Sequence, residues 1–299
     1  MSTRAVGGKG KSTLKRNEAI LGLLLVSPAV LLVLLLIVYP IFYNLVLSFY
    51  KVSLNPNKPD LFIGLQNYAG LFADPKFYYS LGITVVYTAL TVVGSTAVGL
   101  LAALLMNRQF VGRGVARSLI ILSYVAPIIA TVFVWQYMFN TIYGVVNYLL
   151  VDRLHWLTAT PAWFDNPVFS MILVVAYDIW RVFPYAFMML LAALQAIDRS
   201  LYEAAEVDGA SPWDKFRYIT LPEILPSIAT IMTLRMIWNF YKFDDVFLLT
   251  KQIPIMGVYI YDTAFSVHNN GMASAITVVL FVIVFSCVLL FGRKVLKRR

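Results

Sequence analysis

Six apolar runs, each long enough to cross a bilayer as a helix, leave this chain few ways to fold. The clearest extend from Ile20 to Val38, Leu81 to Met106, Leu119 to Phe139 and Ala273 to Phe291, and none of them holds a charge. Two more, Phe169 to Leu194 and Ile224 to Phe240, carry ionisable residues within the run. A helix rises ~1.5 Å per residue, so roughly 20 residues cross a ~30 Å hydrocarbon core while pairing every backbone polar group internally. A composition 60% hydrophobic and 13% charged exceeds what a water-soluble core of 299 residues needs. The expectation is an all-α integral membrane protein with six transmembrane helices over residues 18–293, between a basic N-tail (1–17) and a basic C-tail (294–299). The first run is too long for the apolar part of a secretory signal and lacks a small-residue cleavage site before Tyr39 and Pro40, so it reads as a retained signal-anchor helix.

Orientation follows from the basic residues. With the N-terminus inside, 16 of the 24 Lys and Arg fall on the inner side, 6 on the outer side, and Arg181 and Arg235 within spans. That asymmetry places both termini in the cytoplasm and makes the formal charge of +9 a matter of topology. Aromatic and basic residues do not interleave as in nucleic-acid binders. Cys287 is the single cysteine, which excludes disulfide frameworks and thiolate metal clusters, and His155 and His268 read as loop histidines; no metal site and no catalytic residue is expected. The N-tail stretch "AVGGKGKS", residues 5–12, satisfies a loose phosphate-loop pattern. A working phosphate loop lies between a buried strand and a helix N-terminus, whereas this one is followed by a basic linker into a membrane helix. It reads as a tail attracted to anionic lipid.

Between the fourth and fifth runs lies "SLYEAAEVDGASPWDKFRYITLPEILPSI", residues 200–228, polar and charged among apolar neighbours. Ser200 with Glu203 has capping-box spacing, Gly209 suits a left-handed helix end, and Ser211-Pro212 with Asp214 starts a second helix that Leu221-Pro222 is expected to end. Leu201, Ala204, Ala205 and Asp208 share one shallow face flanked by Glu203 and Glu206. A helix lying on lipid favours large apolar residues and Lys or Arg; residues 200–209 hold three acids and no base, which favours docking to a protein.

"EAAEVDGASPWDKFRYITLP" resembles the cytoplasmic EAA loop of permease subunits from bacterial ABC importers, through Glu203, Ala204, Ala205, Gly209, Ile219, Leu221 and Pro222. "SPAVLLVLLLIVYPIFYNLVLSFY", "FIGLQNYAGLF", "FDDVFLLT" and "YIYDTAFS" are similar to its sugar-permease branch, which includes maltose-type and glycerol-3-phosphate-type subunits. At Lys251, Gln252 and Ile253 the chain departs from the glycine-rich turn usual in that branch. The resemblance implies a loop over residues 198–222 whose first helix, 201–208, is a coupling helix in a cleft of a separate ATPase subunit; Glu203, Ala204, Ala205, Asp208 and Gly209 would carry that coupling. It also implies a second permease subunit, two ATPase subunits binding ATP and Mg, an external solute-binding protein, no cofactor in this chain, a cytoplasmic-membrane location in a bacterium or archaeon, and carbohydrate import by alternating access. A polyol or glycerol-phosphate-type solute is the alternative cargo.

Ionisable residues at membrane depth cost on the order of 3 kcal/mol and mark functional candidates. Arg235, placed near the midplane from the start of its run, has Asn239 one turn on and Trp238 beside it. Lining a watery path and anchoring a neighbouring helix are both open readings for Arg235 and Asn239. Asp178 and Arg181, three apart, can satisfy one another on one helix, with Pro184 following as a possible kink. Tyr241, Lys242, Asp244 and Asp245 read either as an interfacial belt or as an outer gate or dock for the binding protein. A membrane enzyme would require a nucleophile and base, or a metal cluster, and an ion-coupled transporter would show internal repeats; neither pattern is present in the sequence.

Overall fold

The computed structural model describes residues 10–55 and 57–296. Helix α1 (Gly10–Val33) runs through a π-turn (Leu34–Val38) into α2 (Tyr39–Leu47). A two-stranded antiparallel pair, β1 (Tyr50–Lys51) and β2 (Leu61–Phe62), precedes α3 (Gln66–Ala73). Asp74 then caps α4 (Pro75–Asn107), accepting from the Lys76 N–H. Next come α5 (Arg113–Val125), α6 (Ile128–Met138), the short α7 (Val145–Asn147) and α8 (Pro167–Gln195). The polar loop forms α9 (Arg199–Val207) and α10 (Pro212–Lys215), and a π-turn (Phe216–Thr220) joins α10 to α11 (Leu221–Phe240). Two short helices, α12 (Asp244–Leu249) and α13 (Met256–Tyr261), lead to α14 (Asn270–Leu296).

Two prolines explain the two π-turns that sit inside long helices. Pro40 and Pro222 each stand two residues past such a turn. Proline donates no hydrogen bond, and its ring crowds the carbonyl four residues back. An i to i+5 turn at that point widens the helix, as in the bonds from Tyr39 N–H to the Leu34 carbonyl and from Leu221 N–H to the Phe216 carbonyl. Leu221-Pro222 therefore does not end the helix, as the sequence suggested; helical backbone runs unbroken from Pro212 to Phe240. Pro184 likewise lies inside an unbroken α8.

By length and apolarity four helical segments can cross a membrane: Glu18–Leu47, Pro75–Asn107, Pro167–Gln195 and Asn270–Leu290. The third expected span, Leu119 to Phe139, is corrected: α5 and α6 meet at 94°, and they make a fifth crossing only if counted together. Pro127 is the cause, because it has no N–H for a helix to use and forces Ala126 into extended backbone, ψ 140°. α11 is 20 residues long and carries Glu223 and Arg235, so apolarity alone does not mark it as a span. Of the "AVGGKGKS" stretch, residues 5–9 lie outside the described residues, as does the end of the C-tail. His155 and His268 sit in loops at positive φ, and no three potential metal ligands cluster among the described residues.

The packing centre is the seam between α4 and α8, the most extensive helix contact in the fold. One buried face of α4 is mostly small or hydroxylated: Ser80, Thr84, Thr88, Thr91 and Ser95, then Gly99. Spacings of three and four keep them on one face, and small residues let helices approach closely without water to drive them together. At Gly99 α4 comes close to α8 backbone: an added Cβ would lie 2.6 Å from the Ala186 Cβ and 2.9 Å from the Phe187 backbone nitrogen. Gly99→Val is therefore expected to destabilise the purified protein by about 1–3 kcal/mol, as overpacking does. Gly22→Ala, where nothing lies within 4 Å, should leave the melting temperature unchanged; melting both variants in detergent checks the contrast.

Candidate functional site

Two regions hold the predicted residues. The first is the polar loop. α9 starts two residues earlier than the capping box expected at Ser200: its cap is Asp198, whose carboxylate accepts the Ser200 N–H at 2.9 Å. A carboxylate just ahead of the helix satisfies an orphan donor and meets the positive end of the helix dipole, which outcompetes a hydroxyl already inside the first turn. The Ser200 N–H, with its hydroxyl second, holds the Asp198 carboxyl below the usual carboxylate range. The cap is thus in place at neutral pH and is lost only as the pH falls through that depressed value.

Gly209, at φ +75°, ends α9 in a Schellman arrangement, with Ala210 N–H to the Ala205 carbonyl at 2.9 Å and Gly209 N–H to the Glu206 carbonyl at 3.0 Å. Ser211 and Asp214 form the capping box of α10. Lys215 closes the bend with a 2.7 Å ion pair to Glu206, and the Tyr202 hydroxyl meets Thr220 at 2.8 Å. Tyr202 and Ala205 thus face the body of the protein, whereas Leu201, Glu203, Ala204, Val207 and Asp208 are exposed. Val207, absent from the sequence reading of this face, is 89% exposed, which is extreme for valine.

The second region is a buried charge cluster. Asp178 on α8 is fully buried and pairs with Arg235 of α11 at 2.5 Å. Its other oxygen pairs with Lys242, in the elbow between α11 and α12, and the Lys242 ammonium also lies 2.9 Å from Asp245. Two acids and two bases balance, as buried charges require. The expected Asp178–Arg181 pair does not form: Arg181, on the same helix, has no acidic partner among the described residues. A carboxylate reaching across to two cations from another element gains more than a local pair in which both side chains extend along one helix. Arg235 stands in the second-last turn of α11. The four outer candidates divide: Lys242 and Asp245 join the buried cluster, while Tyr241 and Asp244 stay exposed.

Sequence reasoning missed the residues of α4 that complete this region. Asn239 donates to the Thr91 hydroxyl at 2.5 Å, and the Met256 N–H donates to the Thr84 hydroxyl at 2.8 Å. The hydroxyl spacing along α4 was the available signal. Trp238 is half-exposed and packs at 5.3 Å against the ring of Tyr185. A cleft of about 240 Å³ lies over the elbow, lined by Ile128, Trp238, Tyr241, Lys242, Phe243, Asp244 and Asp245. It adjoins one of about 490 Å³ that includes Pro127, Phe247 and Tyr261, so the 94° break after α5 opens onto the elbow. Removing the Thr91 hydroxyl leaves a buried amide donor without a partner, so Thr91→Val is expected to cost about 1–3 kcal/mol and Thr91→Ser much less; melting temperatures of the two purified variants check this.

Long apolar helices around a buried, balanced charge cluster, joined by one capped and exposed polar loop, define a helical membrane protein. The chain belongs to the family described as "Binding-protein-dependent transport system inner membrane component", matched over residues 95–299. It is 53% identical over 280 residues, 94% of this chain and 96% of the relative, to the inner membrane ABC transporter permease protein YcjO of Escherichia coli (strain K12). The trehalose/maltose transport system permease protein MalF of Thermococcus litoralis is 35% identical over 289 residues, 94% and 95% of the two chains. Among solved structures, a bacterial ABC transporter involved in the import of the acidic polysaccharide alginate shares the fold, with TM-score 0.81 at 22% identity over 96% of this chain and 98% of that one. The family is one of transport permeases rather than enzymes, and its members are components of the inner membrane.

Proposed function

We propose that this chain is a transmembrane subunit of an ATP-driven importer that moves a carbohydrate into the cytoplasm by alternating access. The observation that carries the reading is the family match over residues 95–299 together with relatives, aligned over most of the chain, whose names specify sugars. The polyol and glycerol-phosphate alternative is not favoured by these relatives. In this reading the complex also holds a second permease, two ATPase subunits that bind ATP and Mg, and a solute-binding protein, the last implied by the family's description. The six-span topology with both termini inside counts the bent α5–α6 pair and α11 as crossings.

The α9 loop is the proposed contact with the ATPase. Its exposed face combines Leu201, Ala204 and Val207 with Glu203 and Asp208, an apolar strip with acidic flanks that suits a protein cleft better than a lipid surface. Gly209 sets the exit angle. Trp238, Lys242 and Arg181 are the proposed lining of the substrate path, with the exposed Tyr241 and Asp244 at its rim, and the buried Asp178, Arg235 and Asn239 stand behind that lining and hold it in place.

Uptake of radiolabelled maltose and trehalose into proteoliposomes holding the assembled complex and its binding protein tests the transport reading; ATP-dependent accumulation of either supports it, and no accumulation from a sugar panel opposes it. Within that assay Ala204→Trp and Gly209→Val are expected to lower ATPase co-purification and uptake about tenfold, because overpacking a fitted contact and forcing a β-branched residue to positive φ are both unfavourable. Tyr218→Trp, exposed but outside α9, should have little effect.

A further inference from the structure

The elbow at residues 241–243 is held by more than the charge cluster. The second residue of α13, Gly257, lies so close to it that an added Cβ would be 2.0 Å from the Lys242 carbonyl oxygen and 2.8 Å from its carbonyl carbon. Both obstacles are backbone, so no rotamer change makes room. Either α13 or the elbow has to move. Aromatic rings fasten the same junction, with Phe243 stacked on Tyr261 of α13 at 4.5 Å and on Phe247 of α12 at 4.8 Å. At the same end, Met256 beside Gly257 fixes α13 to α4 through its N–H bond to the Thr84 hydroxyl, and α13 packs on α14. The Lys242 side chain, 14% exposed, leaves this clamped backbone to meet Asp178 and Asp245.

We infer that Gly257 is a positioning residue for the substrate path: its missing side chain lets α13 abut the elbow backbone and so sets where the Lys242 ammonium stands. The inference rests on the transport reading only for its consequence. The placement of Lys242 is a matter of geometry. Without the clamp, the elbow shifts by the distance a methyl group needs, and an ammonium held between two carboxylates loses one or both.

The experiment uses the assembled complex. Lysine acetylation with an amine-reactive ester, followed by mass spectrometry, reports how well each ammonium is sequestered. In Gly257→Ala the Lys242 rate is expected to rise about tenfold, as an ammonium freed from burial and pairing becomes reactive, while the rate at Lys215, far from the elbow in the α10 loop, stays unchanged. Uptake of radiolabelled trehalose and maltose should fall in the same variant, and the added loss should vanish in a Lys242→Gln background. A pure packing role predicts the same further loss in both backgrounds. Unchanged Lys242 labelling, or equal losses with and without Lys242, overturns the proposal. If Gly257→Ala does not assemble, Tyr261→Leu, which loosens the same junction without intruding on it, carries the same two measurements. Failure of the wild-type complex to take up either sugar counts against those cargoes, while the labelling comparison still decides the position of Lys242.

Discussion

The Asp178 carboxylate is the interaction on which the architecture turns. Buried on α8, it receives Arg235 from α11 and Lys242 from the elbow, with Asp245 completing the balance. A charge buried alone is prohibitively costly, and a buried pair repays its desolvation only in good geometry. The four side chains therefore constrain one another: α11 cannot rotate, nor the elbow unfold, without stranding a charge. The hydroxyl face of α4 closes the other side, with Thr91 holding Asn239 and Thr84 holding the start of α13. The polar cluster thereby fixes the relative placement of three helices whose apolar surfaces would by themselves tolerate sliding.

The same cluster stands at one end of a continuous lever. Helical backbone runs from Pro212, beside α9, through the π-turn to Phe240, a length of about 40 Å at ~1.5 Å per residue. Arg235 and the elbow are at one end, and the Glu206–Lys215 pair ties the other end to α9. In the proposed importer, force applied to α9 reaches the charge cluster through this one element. The π-turn before Pro222 accommodates the missing N–H and the ring of that proline, and Pro226 lies further along inside regular α-helix, so neither proline interrupts the lever.

Much of this was legible in the sequence, for reasons specific to each element. Apolar runs bounded by polar turns located α1, α4, α8 and α14, because span length is fixed by bilayer thickness. Gly209 and the Ser211 box were readable because each satisfies local backbone geometry. Asp198 was missed in favour of Ser200 because both fit the cap chemistry and only the helix register separates them. The break at Pro127 was hidden by flanks as apolar as any span. The partners of Asp178 were beyond reach: Arg235 and Lys242 lie 57 and 64 residues away in sequence, and local spacing offered only Arg181. The hydroxyl spacing of α4 was present in the sequence, but its partners on α11 and α13 are long-range as well.

Compensation within the charge cluster tests the account most directly. Asp178→Asn removes the negative partner of two buried cations and should lower the stability of the purified complex by about 3–5 kcal/mol. Adding Lys242→Gln restores the balance, leaving Arg235 and Asp245 as the remaining charges. The double variant should regain most of the lost melting temperature while its uptake of sugar stays impaired. A single variant as stable as wild type, or a double variant no more stable than the single, would contradict the claim that Asp178 holds these helices through balanced charge.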